Sequence, residues 1–328
     1  MNNNKYELLK NGFVDEIIPE DIDLINEILK LKKEKNVSLM AHFYQNKEIQ
    51  DIADYIGDSL ALAQMASKTK SNIILMAGVY FMGETIKIIS PEKKVIIPDK
   101  NAGCSLADSC PADKFNEFKN KFPNHIVVMY VNTSAEIKAL SDIVVTSSNA
   151  VDIINSFPIN QDIIFGPDKN LGNYINGITG RNMILWDGAC HVHEKFSVEK
   201  IVELKREYPE AEVLAHPECK QPVLLISDFI GSTTSILNYS KKSNSNFFIV
   251  ATESGILHEM KKNSPNKRFI PAPPNDSTCG CNDCEYMKLN TLKKIYLSLK
   301  YELPEIKIDE EIRKKAEIPI KRMLELSK

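Results

Sequence analysis

A chain of 328 residues with 43% hydrophobic and 26% charged residues, 13 Gly and 16 Pro has the composition of an ordinary folded protein, which excludes disordered, collagenous and low-complexity classes. With 41 Lys and Arg against 44 Asp and Glu, the net charge of -3 draws it to neither nucleic acid nor an anionic membrane, so any anionic ligand must be held locally. Residues 1–10 lack a signal segment and no run reaches the roughly 18 apolar residues of a membrane span, so a cytoplasmic location is expected. A structural disulfide is not expected there, and seven cysteines ask for another explanation: buried thiols, a metal or reactive chemistry.

Residues 15–35 place Ile22, Ile25, Ile28 and Leu29 at helical spacing, which predicts a surface helix within an N-terminal helical segment, 1–35. A strand over 37–41 then leads into His42-Phe43-Tyr44. An acidic, helix-like stretch runs to Tyr55, and Gly57-Asp58-Ser59 opens a second helix over 60–68. β-like runs at 73–75 and 95–97 follow, the second leading through 98–103 into Cys104. Short apolar runs alternating with helical patterns predict a parallel α/β unit.

The succession then recurs. Strand ends carrying polar clusters stand at His42, Tyr130 and His216, separated by 88 and 86 residues. Small-hydroxyl clusters at helix starts stand at Ser59, Ser147 and Ser232, separated by 88 and 85. β-like runs end at Cys104, at Cys190 after a further 86 residues, and at the group Cys279, Cys281 and Cys284. Within each segment the first landmark precedes the second by 17, 17 and 16 residues, a regularity not expected of unrelated loops. A period of about 87 exceeds that of solenoid repeats, so three α/β domains are predicted, at 36–123, 124–209 and 210–328, the last with C-terminal helices.

In open parallel sheets, ligands gather at the carboxyl ends of the strands, where all three landmarks fall. Asp58, Ser59, Ser147, Ser232 and Thr233 taken singly are N-caps; recurring together, they offer hydroxyls and helix N-termini to carboxylates or a phosphate. Three domains folded about a pseudo-axis would bring together Cys104, Cys190 and one of the last three cysteines. Thiolates select zinc or iron–sulfur centres, and a closed structural site or electron-transfer cluster takes four of them. Three would leave one iron of a four-iron cluster open as a Lewis acid. Cys110 and Cys219 are expected to be inert buried thiols. The run Cys279-Gly-Cys281-Asn-Asp-Cys284 resembles half a zinc ribbon, but no second CxxC completes it. His42, Tyr44, Tyr130, Asn132, His193, His216 and Glu218 would share the rim as acid–base and orienting groups.

Ordered segments across nearly the whole chain, among them AHFYQ (41–45), GDSLALA (57–63), AGCSLADSCPAD (102–113), YVNTSAE (130–136), WDGACHVHE (186–194), AHPEC (215–219), GSTTS (231–235) and ATESGI (251–256), resemble the quinolinate synthase family. The resemblance implies three αβα domains with pseudo-threefold symmetry around a central active site and one [4Fe-4S] cluster. It implies condensation of iminoaspartate with dihydroxyacetone phosphate to quinolinate, phosphate and water in NAD biosynthesis. It also implies a functional link to an enzyme that produces iminoaspartate. Matched by position, the cluster ligands are Cys104, Cys190 and Cys284, although spacing alone favours Cys279 as the third. Substrate contacts fall on His42, Ser59, Tyr130, Asn132, Ser147, His216, Glu218, Ser232 and Thr233. Tyr44 and Glu218 match proton transfer, with His216 beside them and His193 in the pocket wall. Two other functions compete: an iron–sulfur hydro-lyase of another small acid, and an electron carrier or sensor, which should have a fourth cysteine ligand.

Overall fold

The computed structural model describes residues 6–9, 11–275 and 282–327; Cys279 and Cys281 lie outside the described residues. Three four-stranded sheets follow one another along the chain. The first comprises β1 (Val37–His42), β2 (Tyr55–Gly57), β3 (Ile73–Ala77) and β4 (Lys94–Ile96) in the order β2-β1-β3-β4. The second comprises β5 (Ile126–Tyr130), β6 (Ile143–Val145), β7 (Ile163–Gly166) and β8 (Ile184–Leu185) in the order β6-β5-β7-β8. The third comprises β9 (Glu212–Ala215), β10 (Phe229–Ile230), β11 (Phe247–Ala251) and β12 (Arg268–Pro271) in the order β10-β9-β11-β12. Every pairing is parallel, so each sheet is one copy of the same topology.

The central strands are buried along their whole length, as in β1, β3 and β11, because helices cover both faces of a parallel sheet. Hence they read as continuous apolar runs. The short second strands β2, β6 and β10 are not distinguished in the sequence pattern, since two or three residues are too few to show a period; they become strands by pairing with β1, β5 and β9.

A carboxylate repeats with them. Asp54, Asp142 and Asp228 stand 88 and 86 residues apart, each just before the second strand. Each accepts from a backbone N–H of the first strand: Leu39 at 2.7 Å, Val127 at 2.8 Å and Val213 at 2.7 Å. Each also returns its own N–H to that residue's carbonyl, at 2.8, 2.9 and 2.8 Å. The charge-assisted pair closes the open end of a strand too short to hold itself.

The chain leaves the first strand of each sheet to one side and returns on the other, which places a topological switch point between first and third strands. The terminal helices lie against the first two sheets. Helix Leu292–Tyr301 buries Ile295 and Leu299 against Ile28 of helix Leu24–Glu34. Helix Glu310–Leu326 packs Ala316, Ile320 and Met323 into the core shared by helix Tyr80–Ile89, helix Ala135–Ala139 and β6. Burying side chains such as Ile320 and Met323 contributes about 1.5–3 kcal/mol each, which clamps the first two sheets together.

Candidate active site

The three switch points open on one cavity lined by residues of all three repeats. His42 and Tyr44 enter it from the end of β1, Tyr130 and Asn132 from β5, His216 and Glu218 from β9. Ser59, Ser147, His193, Thr233 and all three of Cys104, Cys190 and Cys284 also line it. Ser232 does not reach the cavity surface; its hydroxyl is engaged by Ser148 at 2.8 Å and Ser235 at 3.0 Å.

The first and third repeats build the same histidine. Nδ1 of His42 accepts from the Tyr44 N–H at 3.2 Å, and Nδ1 of His216 accepts from the Glu218 N–H at 3.3 Å. This geometry assigns the proton of each neutral ring to Nε2. Burial holds both rings neutral, taking His42 down to about 4 against the opposing pull of Asp58 and Glu218, and His216 down to about 3. Nε2 of His216 lies 3.2 Å from the Ser147 hydroxyl. The rim thus carries buried N–H donors that stay uncharged at neutral pH, suited to a carbonyl or carboxylate oxygen.

Glu218 is the electrostatic centre. Burial pushes its carboxyl up, but the His193 and His216 rings and the hydrogen bond from the Tyr130 hydroxyl, 2.6 Å, outweigh that and hold it near 2. Burial beside that charge raises Tyr130 well above the usual phenol range. His193 Nδ1 approaches the other Glu218 oxygen to 3.0 Å, but the ring is turned so that no well-directed hydrogen bond forms. That ring stacks on His216 with centroids 4.7 Å apart.

One residue that sequence reasoning missed joins all three repeats. The Thr252 hydroxyl sits 2.7 Å from the Tyr44 hydroxyl of the first repeat and 3.0 Å from His193 Nε2 of the second, while itself following β11 of the third. Tyr44 also shares a 2.9 Å hydrogen bond with Thr233. Thr252 stands one residue beyond a central strand, so its place at a strand end was the available signal. Gly255 permits the same closeness, since a Cβ there would lie 2.8 Å from the Phe43 carbonyl oxygen and from Tyr44 Cα.

The hydroxyl clusters meet at Asp58. Its Oδ1 caps the Ala61 N–H at 3.0 Å, while Oδ2 accepts from Ser148 at 3.0 Å and Thr234 at 2.6 Å. Ser232 caps its helix through the Ser235 N–H at 3.3 Å. The second repeat differs: helix Ala150–Asn155 starts at Asn149, and Ser147 stands ahead of it, facing His216. Asn132 Oδ1 is buried without a hydrogen-bond partner among the described residues, a free acceptor in the cavity wall.

Among the described residues each repeat contributes one cysteine to the cavity, following β4, β8 and β12. Burial pushes the Cys104 thiol up to about 12 and Cys284 to about 11, and raises Cys190 well above its usual value. Backbone N–H groups of Leu106 and Ala107, His193, and Tyr286 and Met287 face the three sulfurs and oppose that rise. Half-buried thiols that resist ionisation alone but have N–H dipoles aimed at their sulfurs fit a centre whose positive charge deprotonates them on binding. One set of metal-ligating atoms lies within 4.8 Å of one another, Cys190, His193 and Glu218, and the His193–Glu218 contact accounts for two of its members. Of the three cavity cysteines, Cys190 alone belongs to that set.

Residues 26–325 match the family described as quinolinate synthetase A protein. The quinolinate synthase of Gloeothece citriformis (strain PCC 7424) is 58% identical over 306 residues, 93% of this chain and 94% of that protein. The quinolinate synthase of Thermosynechococcus vestitus (strain NIES-2133 / IAM M-273 / BP-1) is 55% identical over 309 residues, 94% of this chain and 97% of its own length. The quinolinate synthase of Chloroherpeton thalassium (strain ATCC 35110 / GB-78) is 57% identical over 307 residues, covering 94% and 95%. No helix among the described residues is long and apolar enough to cross a membrane.

Proposed function

From the premise that the chain belongs to the quinolinate synthetase A family of enzymes, we propose that it condenses iminoaspartate with dihydroxyacetone phosphate to give quinolinate, phosphate and water. The observation that carries this reading is the convergence of one half-buried cysteine from each repeat on a cavity whose rim holds neutral imidazoles, an ionised carboxylate and a ring of hydroxyls. The reaction balances without an external oxidant, so the centre is not required to change its oxidation state.

A [4Fe-4S] cluster held by Cys104, Cys190 and Cys284 would supply a Lewis acid at the iron without a protein ligand. His42 and His216 would donate from Nε2 to substrate oxygens, and Asn132 would accept through its free Oδ1. Ser59, Ser147 and Thr233 would orient carboxylates and the phosphate. Glu218 would take up protons at the oxygen facing His193, while the Tyr130 hydroxyl holds the other. Tyr44, raised well above the usual phenol range by burial, would donate a proton from its hydroxyl and keep it otherwise. The largely buried rim residues would limit the access of water to an unstable imine.

Anaerobic purification, iron and sulfide analysis, and an assay with both substrates test the scheme. Cys104→Ser, Cys190→Ser and Cys284→Ser are each expected to abolish cluster binding and turnover, whereas Cys110→Ser and Cys219→Ala retain both. A fully active zinc protein, or turnover of another small acid with none of dihydroxyacetone phosphate, would overturn the proposal, the latter in favour of a hydro-lyase.

A further inference from the structure

The third strands β3, β7 and β11 end at Ala77, Gly166 and Ala251, and two residues beyond each end stand Val79, Asp168 and Glu253, 89 and 85 residues apart. These are equivalent places in the three repeats. Two of them carry carboxylates that are 0% exposed. Each of the two accepts from the backbone N–H of the cavity cysteine in its own repeat: Cys190 N–H to Asp168 Oδ2 at 3.2 Å, and Cys284 N–H to Glu253 Oε1 at 3.2 Å. No mechanistic step above uses either carboxylate.

The remaining contacts make both into fixed points. Asp168 Oδ1 caps the Leu171 N–H at 2.8 Å, anchoring the carboxylate to helix Lys169–Thr179. Glu253 Oε2 accepts from the Gly255 N–H at 2.7 Å, and Oε1 also meets Lys288 Nζ at 2.9 Å. Lys288 in turn donates to the Tyr44 carbonyl at 2.8 Å, so the Cys284 turn and the Tyr44 strand end are tied through one ion pair whose carboxylate is buried. The first repeat lacks this device. Val79 occupies the equivalent place, no carboxylate among the described residues accepts from Cys104 N–H, and that segment is held by Tyr80 N–H donating to the Ala102 carbonyl at 2.6 Å.

We propose that Asp168 and Glu253 are positioning residues that hold the backbone of the Cys190 and Cys284 turns so that their sulfurs face the cluster site. The proposal rests on the cluster reading given above. A carboxylate buried only to cap a helix would leave Cys190 and Cys284 to find other acceptors; here each carboxylate serves twice, one oxygen on the scaffold and the other on the ligand turn. Such outer partners of metal ligands typically change metal affinity by about 10–100-fold when removed.

The test uses the full chain with Asp168→Asn and Glu253→Gln, which keep shape and one acceptor, and Asp168→Ser as a second capping variant at that position. Asp54→Asn is the control, a repeat carboxylate that holds a strand and touches no cysteine. In the metal-free chain, hydrogen exchange is expected to quicken tenfold or more at the Cys190 amide in the Asp168 variants and at the Cys284 amide in Glu253→Gln, with the Cys104 amide unchanged. After reconstitution with Fe²⁺ and sulfide, iron loss to a ferrous chelator is expected to be at least tenfold faster than in the parent, and unaltered in Asp54→Asn. Unchanged exchange at Cys190 and Cys284, or iron loss as fast in Asp54→Asn as in the other variants, overturns the proposal. A parent chain that takes up no iron would instead refute the cluster reading, and the exchange measurement would still decide this inference.

Discussion

Thr252→Val is the most discriminating single change in the site. It preserves volume and removes one hydroxyl, so it opens no cavity and isolates the polar contribution. Tyr44 keeps Thr233 at 2.9 Å and loses a 2.7 Å bond, a net cost of about 1 kcal/mol. His193 Nε2 loses its 3.0 Å partner in a place 3% exposed, and an unsatisfied buried group costs a further 1–3 kcal/mol or so. The expected loss is about 3 kcal/mol. At an unfolding entropy of about 2.1 cal/mol/K per residue, a chain of this length loses roughly 4 °C in its thermal midpoint. Thr252→Ser keeps the hydroxyl and loses a methyl group, about 1 kcal/mol and 1–2 °C. Because Tyr44 and His193 are both oriented through this oxygen, kcat should fall about tenfold or more in the valine variant and stay within about twofold in the serine variant. Scanning calorimetry and steady-state assay of the two proteins side by side check this. Equal stability and equal kcat for Val and Ser would show that the hydroxyl does not hold the three repeats in register, and the reasoning would fail.

Asp58→Asn retains an N-cap but turns an amide toward the Ser148 and Thr234 hydroxyls, so urea unfolding should show a loss of about 2 kcal/mol, and Asp58→Ala about 1 kcal/mol more from the missing cap. Asn and Ala variants of equal stability would contradict the capping role. Resonance-resolved titration should find the His42 and His216 imidazoles unchanged from pH 8 to pH 5. Their folded values, about 4 and about 3, lie below the free value of 6.5, so the unfolded chain protonates first as pH falls. The stability of the neutral rings is therefore whole above pH 6.5 and declines through pH 4 and 3, by up to about 3 kcal/mol for His42 at roughly 1.4 kcal/mol per unit. Glu84 and Glu253, raised to about 7 by burial, act oppositely between pH 7 and 4.5, where the folded chain keeps a proton that the unfolded chain releases. Either imidazole titrating near 6.5 would contradict its burial as a neutral donor.

Much of this architecture was written in spacing. His42, Tyr130 and His216 recur because each sheet needs a strand end at the same place, and a ligand site at strand ends constrains residue type there. Asp54, Asp142 and Asp228 recur at the same interval, but their role, closing a strand of two or three residues, is invisible until that strand is paired. The packing of helix Glu310–Leu326 on the first two sheets could not be read from chain order, since an apolar helix face states that it must be covered and not by what. Spacing along the chain is enough to read three equivalent α/β units, the strand-end polar groups, Cys104 and Cys190, and a third cysteine left open among Cys279, Cys281 and Cys284, because local periodicity and chain topology depend on neighbours along the chain. It takes the packed fold to show that Thr252 joins Tyr44 to His193, that Asp58 receives hydroxyls from two other repeats, and that Asp168 and Glu253 accept from the cysteine backbone N–H groups. Those are contacts between residues tens to hundreds of positions apart, and a hydrogen bond is set by distance in space, which a spacing along the chain does not encode.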